Sequence, residues 1–297
     1  MKSRFKTLEG KQALYDSYDQ LLHLWDVPYE ERDIETRYGQ THLIITGDEH
    51  NPPLVLFHGT GDNSAIMWIY NIQALSKKFY VIAVDTLGGA GKSEPNEHYS
   101  KDFVPHLWID DILNTLAIHK THMAGVSYGV YLTLSYEIYN PDRVEKIICM
   151  ASFLPVKGLS IKYTLLGMRS ILTFFPEVLR PNEKNALKLL RKLGSPLSEE
   201  NTENNETFKH FLYILKYSQP ERRKFTTYEL SALSTFKEKA LFLIGNSDPI
   251  AYHSSYIQFF QDYEFHYKII KRAGHSINQD QPEIINHEMI NFLLNDG

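Results

Sequence analysis

The residues best suited to chemistry are Gly125-Val126-Ser127-Tyr128-Gly129, Asp248 and His275. A serine hydroxyl is a weak nucleophile at neutral pH. It needs a base to take its proton and a carboxylate to orient that base. Gly-x-Ser-x-Gly here directly follows a short apolar strand, His122 to Gly125, and opens a helix. That is the setting of a nucleophile elbow, a tight turn that lifts the hydroxyl above the edge of a sheet. The two glycines suit a turn that brings backbone against neighbouring elements and leaves no room for Cβ atoms. In such an arrangement the chain order is Ser, then acid, then His, each on a loop at the C-terminal end of a strand. The strand Ala240 to Ile244 runs into Gly245-Asn246-Ser247-Asp248-Pro249, so Asp248 falls at the correct edge. Asp248 would equally cap a helix beginning near Ile250. The strand Phe265 to Ile270 runs into Lys271-Arg272-Ala273-Gly274-His275-Ser276. Of the 13 histidines, only His253, His266, His275 and His287 follow Asp248. Helical patterns cover His253 and His287, and His266 lies in a strand, which leaves His275 on the strand-to-helix loop.

Acyl transfer also needs donors for the negative charge that develops on the carbonyl oxygen. One is the backbone N–H of the residue after the nucleophile, Tyr128. The other comes from the loop after the strand Leu54 to Phe57, which reads His58-Gly59-Thr60-Gly61-Asp62-Asn63. Thr60 is the expected second donor. His58 precedes Ser127, the wrong order for the base, and reads as a buried structural imidazole.

The elements that must position these residues follow from apolar patterning. An amphipathic helix occupies the first 25 residues, with Pro28 ending the pattern, and two strands follow, Glu31 to Tyr38 and Thr41 to Ile45, with Gly39-Gln40 as the turn. Continuous apolar runs at Leu54 to Phe57, Phe79 to Val84, His122 to Gly125, Val144 to Ala151, Ala240 to Ile244 and Phe265 to Ile270 read as strands buried on both faces. Helical stretches alternate with them at Ile69 to Lys77, Phe103 to Ile118, Tyr128 to Tyr139, Tyr252 to Tyr263 and Pro282 to Leu294. This alternation predicts an α/β fold with a mostly parallel central sheet flanked by helices. It breaks between Pro155 and about Ala232, where only helical spacing remains (Leu165, Leu166, Met168, Ile171, Leu172, Phe174, Phe175; then Phe208, Phe211, Leu212, Ile214, Leu215), divided by polar turns such as Asn201 to Asn205. The expected division is a core of residues 1–154 and 233–297 and an inserted helical cap, 155–232. Its aromatic residues are packing contacts in the main, with a few lining an apolar cleft.

Composition narrows the chemistry. The 297 residues carry 31 Lys+Arg and 36 Asp+Glu, a net charge of −5, which argues against nucleic acid as the main partner. The lone Cys149 excludes an internal disulfide and a cysteine-rich zinc site, and reads as a small core residue. No apolar run approaches the roughly 20 residues that cross a bilayer. The basic start, Met1 to Lys6, is not followed by the apolar stretch of a secretory signal. A cytoplasmic protein with no membrane partner is expected. Gly88-Gly89-Ala90-Gly91-Lys92-Ser93 imitates a phosphate-binding loop, but Thr86 stands where its first glycine belongs and Glu94-Pro95-Asn96 follow in place of a helix. His119 and His122 lack the further ligands of a metal site. The cations from Lys184 to Lys192 read as a solvated helix face. No cofactor and no metal are expected.

Taken together, these motifs resemble the α/β-hydrolase superfamily. Leu24-Trp25-x-Val27-Pro28-Tyr29, Gly39-Gln40-Thr41-His42, Pro52-Pro53-Leu54-Val55-Leu56-x-His58-Gly59 and Met67-Trp68-x-x-Asn71-Ile72 look more closely like the bacillus carboxylesterases of the naproxen-esterase (carboxylesterase NP) type. That resemblance implies an α/β-hydrolase fold with a helical cap, cleaving carboxylic esters without a cofactor. It makes Ser127 the nucleophile, His275 the base, Asp248 the acid, and Thr60 and Tyr128 the oxyanion donors. Tyr128 departs from the smaller or aliphatic residue often found at its position. The expected protein is a serine carboxylic ester hydrolase for small to medium apolar esters, working as a monomer or homodimer. Thioesterase, carbon–carbon hydrolase and perhydrolase chemistry would use the same residues, and the fold also hosts ligand-binding signalling proteins.

Overall fold

The computed structural model describes residues 3–152, 154, 177–194, 205–219, 225–234, 236–252 and 254–295. The chain opens with helix α1 (Leu8–His23), whose first turn is capped by the Thr7 hydroxyl accepting from the Gly10 N–H. Strands β1 (Tyr29–Thr36) and β2 (Gly39–Thr46) form an antiparallel hairpin. Its turn is Arg37-Tyr38, not the expected Gly39-Gln40, because Gly39 and Gln40 are themselves paired with Pro95 and Glu94. Gly39 has φ +124, and a Cβ there would lie 2.3 Å from the Glu94 carbonyl. The glycine serves the approach of a third strand, not the reversal.

Strand β3 (Pro53–Phe57) leads to two short helices, α2 (Ser64–Met67) and α3 (Ile72–Leu75), where sequence periodicity predicts one helix over Ile69 to Lys77. The first begins early because the Asn63 side chain caps it, accepting from Ile66. Then come β4 (Tyr80–Val84), β5 (Glu94–Pro95), α4 (Glu97–Asp102), α5 (Pro105–Thr115), β6 (Thr121–Val126), α6 (Tyr128–Tyr139) and β7 (Val144–Met150). Helices α7 (Glu183–Lys192), α8 (Glu206–Tyr217) and α9 (Leu230–Ser234) precede β8 (Ala240–Gly245). The chain finishes with α10 (Ser254–Asp262), β9 (His266–Ile270), α11 (Ile277–Asp280) and α12 (Pro282–Leu294).

The strands line up as β1-β2-β4-β3-β6-β7-β8-β9, with β5 beside β2. Every pairing from β4 to β9 is parallel, and the pairings of β2 are antiparallel. Side chains along a strand alternate between the two faces, and here both faces are covered. Val55, Phe57, Met123, Ile147, Cys149 and Phe242 face one layer, which includes residues of α5, α6 and α10. Leu54, Leu56, Ala124, Ile148, Met150 and Leu243 face the other, which includes residues of α1, α3 and α12. Strand β9 departs from expectation: it is the sheet edge, and of its five residues only Ile270 is buried.

Of the expected insertion, the described parts contain α7, α8 and the start of α9. Leu165 to Phe175, and Asn201 to Glu203 and Asn204 of the polar turn, lie outside the described residues. Helix α8 lies against α1, and the N-terminal segment pairs with its end: Lys6 N–H donates to the Tyr217 carbonyl and Gln219 N–H to that of Arg4. His210 of α8 is fully buried between two core elements. Asn63 Nδ2 donates to its Nε2 at 2.8 Å, so Nδ1 carries the proton and donates to Ser17 Oγ at 3.0 Å. Among the described residues no helix is long and apolar enough to cross a membrane.

Burial lowers the His210 imidazole to about 3, with the Asp85 charge opposing weakly. A histidine depressed in the folded state is neutral there and takes up a proton on unfolding, so its contribution is intact above the ordinary imidazole pKa and lost as pH falls toward 3. His210→Gln should therefore be destabilising at pH 7, with the gap to wild type narrowing by about 1 kcal/mol per pH unit between pH 6 and 4. Urea unfolding at three pH values checks this; parallel curves would refute it.

Candidate active site

The Ser127 backbone sits at φ 53, ψ −107, a region that costs a non-glycine residue roughly 1–3 kcal/mol. It lies between the end of β6 and the start of α6. Its neighbours enforce the turn. A Cβ on Gly125 would lie 2.2 Å from the Gly129 carbonyl carbon, and one on Gly129 would lie 2.1 Å from the Phe57 carbonyl oxygen. Ser127 N–H donates to the Met150 carbonyl at 2.9 Å, tying the elbow to the end of β7.

Asp248 and His275 come together from the ends of β8 and β9. His275 Nδ1 lies 2.9 Å from Asp248 Oδ2. The other oxygen, Oδ1, accepts from the N–H groups of Ile250 (2.8 Å) and Ala251 (3.1 Å). The capping and orienting roles that looked like alternatives in the sequence are thus filled by the two oxygens of one carboxylate. Asp248 is fully buried, which would raise its pKa, yet the His275 charge and hydrogen bond and the two N–H donors hold it below the ordinary value. For His275 burial alone would lower the pKa. The Asp248 carboxylate, through charge and hydrogen bond, with a contribution from Asp280, raises it overall. With Nδ1 engaged on Asp248, Nε2 is the atom left for proton transfer.

Ser127, His275 and Thr60 line one cavity of about 120 Å³. Its apolar wall includes Ile66 and Met67 from α2, Leu190 from α7, and Phe208 and Phe211 from α8. The Tyr128 side chain is not among the lining residues. Its ring packs 5.7 Å from both Tyr131 and Phe225, joining α6 to the segment before α9. His253 lies outside the described residues, and His266 and His287 occupy β9 and α12 as the sequence implies. His58 is fully buried: Nδ1 donates to the Gly59 carbonyl at 2.8 Å and Nε2 accepts from Thr86 N–H at 2.9 Å.

The glycine-rich run after β4 wraps around a carboxylate that leaves no space for phosphate. Asp85 Oδ2 accepts from Lys92 N–H (2.7 Å) and the Tyr18 hydroxyl (3.0 Å), and Oδ1 from Ser64 N–H (2.8 Å). A Cβ on Gly91 would lie 2.2 Å from Oδ2. The Lys92 ammonium pairs with Asp19 and Glu31 at 2.6 Å each. Lys188 and Lys192 are also less free than a solvated face implies. Both pair with the buried Glu177, at 2.9 and 2.7 Å, because the chain before α7 folds back beneath them.

Sequence reasoning missed the end of α7. His275 N–H donates to the Leu193 carbonyl at 2.9 Å, and a Cβ on Gly274 would lie 2.4 Å from that same oxygen. Gly194, at φ +76, is packed so closely that its Cβ would meet the Ser247 carbonyl at 2.1 Å. The end of α7 therefore packs against both the loop that carries Asp248 and the loop that carries His275. The only signal for this was a glycine after a helix, which reads as an ordinary C-cap. Asp62, the one carboxyl among the described residues that line the cavity, was also given no role by its position in the sequence.

Residues 52–282 match the α/β hydrolase fold family. Carboxylesterase YbfK of Bacillus subtilis is 28% identical across 98% of this chain and 96% of its own length. An uncharacterized carboxylesterase, nap, of the same organism is 31% identical across 94% of this chain and 91% of its own. The crystal structure of naproxen esterase (carboxylesterase NP) from Bacillus subtilis superposes with a TM-score of 0.80 at 24% identity, covering 97% of this chain and 99% of that one. The chain belongs to the α/β-hydrolase fold family. Within it, the similarity runs end to end with the bacillus carboxylesterases.

The packing of α7 leads to an expected outcome. Gly194→Ala forces a Cβ onto the Ser247 carbonyl at a left-handed backbone position, displacing both loops. It should lower kcat on a p-nitrophenyl ester at least about tenfold, the scale expected when a reacting group is misplaced by a fraction of an ångström to 1 Å. Wild-type kcat in the folded variant would refute the positioning role of α7.

Proposed function

We propose that the protein is a serine carboxylic ester hydrolase acting on small to medium apolar esters. The observation that carries this reading is the 2.9 Å pairing of the buried Asp248 carboxylate with Nδ1 of His275, whose side chain lines one cavity with a serine held at a strained elbow. The carboxylesterase relatives support the same reaction class.

In the proposed reaction His275 Nε2 takes the Ser127 proton as Oγ attacks the ester carbonyl. Asp248 keeps Nδ1 protonated and stabilises the imidazolium that forms. The backbone N–H groups of Thr60 and Tyr128 receive the oxyanion. Collapse of the tetrahedral intermediate breaks the bond to the alkoxy oxygen, which leaves as the alcohol with the proton from His275. Water then gives its proton to His275 and attacks the acyl-enzyme, releasing the carboxylic acid and restoring Ser127. Residues 155–232 act as a cap, since Leu190, Leu193, Phe208 and Phe211 supply apolar wall over the catalytic residues.

Ser127→Ala should lose at least about 10⁴-fold in kcat on p-nitrophenyl butyrate, and Asp248→Asn roughly 10³–10⁴-fold through the wrong imidazole tautomer. Wild-type turnover in either variant would sink the mechanism. The base works only when neutral, so activity should rise with pH through a midpoint above the ordinary imidazole value. Asp248→Asn removes the charge that favours the imidazolium, so its residual activity should titrate at lower pH. The apolar walls predict a rate maximum at short or medium acyl chains in a p-nitrophenyl ester series; a flat profile would contradict it.

A further inference from the structure

Asp62 is a carboxyl that ester hydrolysis leaves without a role. It lines the cavity that holds Ser127 and His275 and stands two residues beyond Thr60, within about 7 Å of it along the chain. Its Oδ1 accepts from the Asn63 N–H across a long 3.3 Å. Among the described residues no Lys or Arg lines the cavity and none pairs with Asp62.

The loop beneath it is firmly held. The Asn63 side chain donates to the Ala90 carbonyl and to His210, and accepts from Ile66 N–H. The next residue, Ser64, is bound to Asp85. Asp62 is thus presented on a fixed backbone, beside walls formed by Ile66, Met67 and Phe211. Asp62 is part-buried, so a ligand that displaces the water around it must supply a hydrogen bond in its place, and a cavity that is mostly apolar gains orientation from a few placed polar groups.

We propose that Asp62 is a specificity residue: it accepts a hydrogen bond from a hydroxyl carried by the ester substrate, close to the scissile carbonyl. The inference rests on the ester hydrolase reading and narrows its substrates to hydroxylated esters whose remaining surface is apolar. Burial raises the Asp62 carboxyl to about 7, with the Asp85 charge adding to the rise and the Asn63 N–H opposing it. The groups acting on it directly are Asn63 and Asp85, and the polar residues His275, Ser276 and Gln279 line the same cavity. Asn205 and Thr207, at the start of α8, line it as well. Of those lining the cavity, only Asp62 and His275 titrate. The deprotonated carboxylate is the stronger acceptor, so selection for the hydroxyl should strengthen as pH rises through 7. Protonation of His275 affects both members of a substrate pair alike and cancels in their ratio.

The experiment compares isosteric pairs by pH-stat titration: methyl 3-hydroxybutanoate against methyl 3-methylbutanoate, and 2-hydroxyethyl butanoate against propyl butanoate. In the wild type, kcat/KM should favour the hydroxylated member of at least one pair tenfold or more at pH 8, and less at pH 6. Asp62→Ala should bring that ratio to about one, and Asp62→Asn, which keeps an acceptor without the charge, should give an intermediate, pH-independent ratio. Thermal unfolding verifies that both variants fold. A wild-type ratio near one in both pairs, or a ratio that Asp62→Ala leaves unchanged, overturns the assignment while leaving the hydrolase intact. No turnover of any ester, with Ser127 unlabelled by a fluorophosphonate, overturns the hydrolase reading and this inference together.

Discussion

Helix α6 can begin where it does only because two Cβ atoms are missing. Gly129 lets the helix settle onto the Phe57 carbonyl at the end of β3, and Gly125 lets the turn close on Gly129. The Ser127 backbone between them is strained, and that strain holds the serine at the edge of the sheet. It is offset by the hydrogen bond from Ser127 N–H to the end of β7 and by the packed layers on both sides of β3 and β6. A sheet buried on both faces is what makes this possible, since a loose support would relax the turn.

Around that elbow, different parts of the chain hold the other groups. The loop after β3 is fastened from below by Asp85, which gathers Ser64, Lys92 and Tyr18, and from the side by Asn63 on His210. The imidazole of His58 closes the same loop onto Thr86. On the opposite side, the loops after β8 and β9 are joined by Ser247 N–H to the Ala273 carbonyl, and the end of α7 packs against both. Two helices therefore contribute on two sides: α8 braces the Thr60 loop through His210, and α7 braces the Asp248 and His275 loops. These helices are structural parts of the site as well as its walls.

Much of this was legible from residue order. The strands of the central sheet lie where continuous apolar runs stand, and Ser127, Asp248 and His275 occur in the order and at the strand ends that acyl-transfer chemistry requires. Three of the deviations share one cause. Gly39 reads as a turn residue, but it admits β5. Gly194 reads as a helix end, but it admits Ser247. Lys188 and Lys192 read as solvated, but Glu177 pairs with both. In each case the partner comes from elsewhere in the folded chain, and local pattern carries no record of it.

Sequence by itself determined the alternation of buried strand and helix, and with it the sheet, the elbow and the candidate chemistry. These depend on periodicity and on backbone preferences that act within a few residues. Tertiary structure alone decided that one carboxylate both caps a turn and orients His275. It also decided that the end of α7 packs against the Asp248 and His275 loops, and that Asp62 lines the same cavity as Ser127. Those facts depend on which surfaces meet when distant segments pack, and burial then sets how each titratable group behaves.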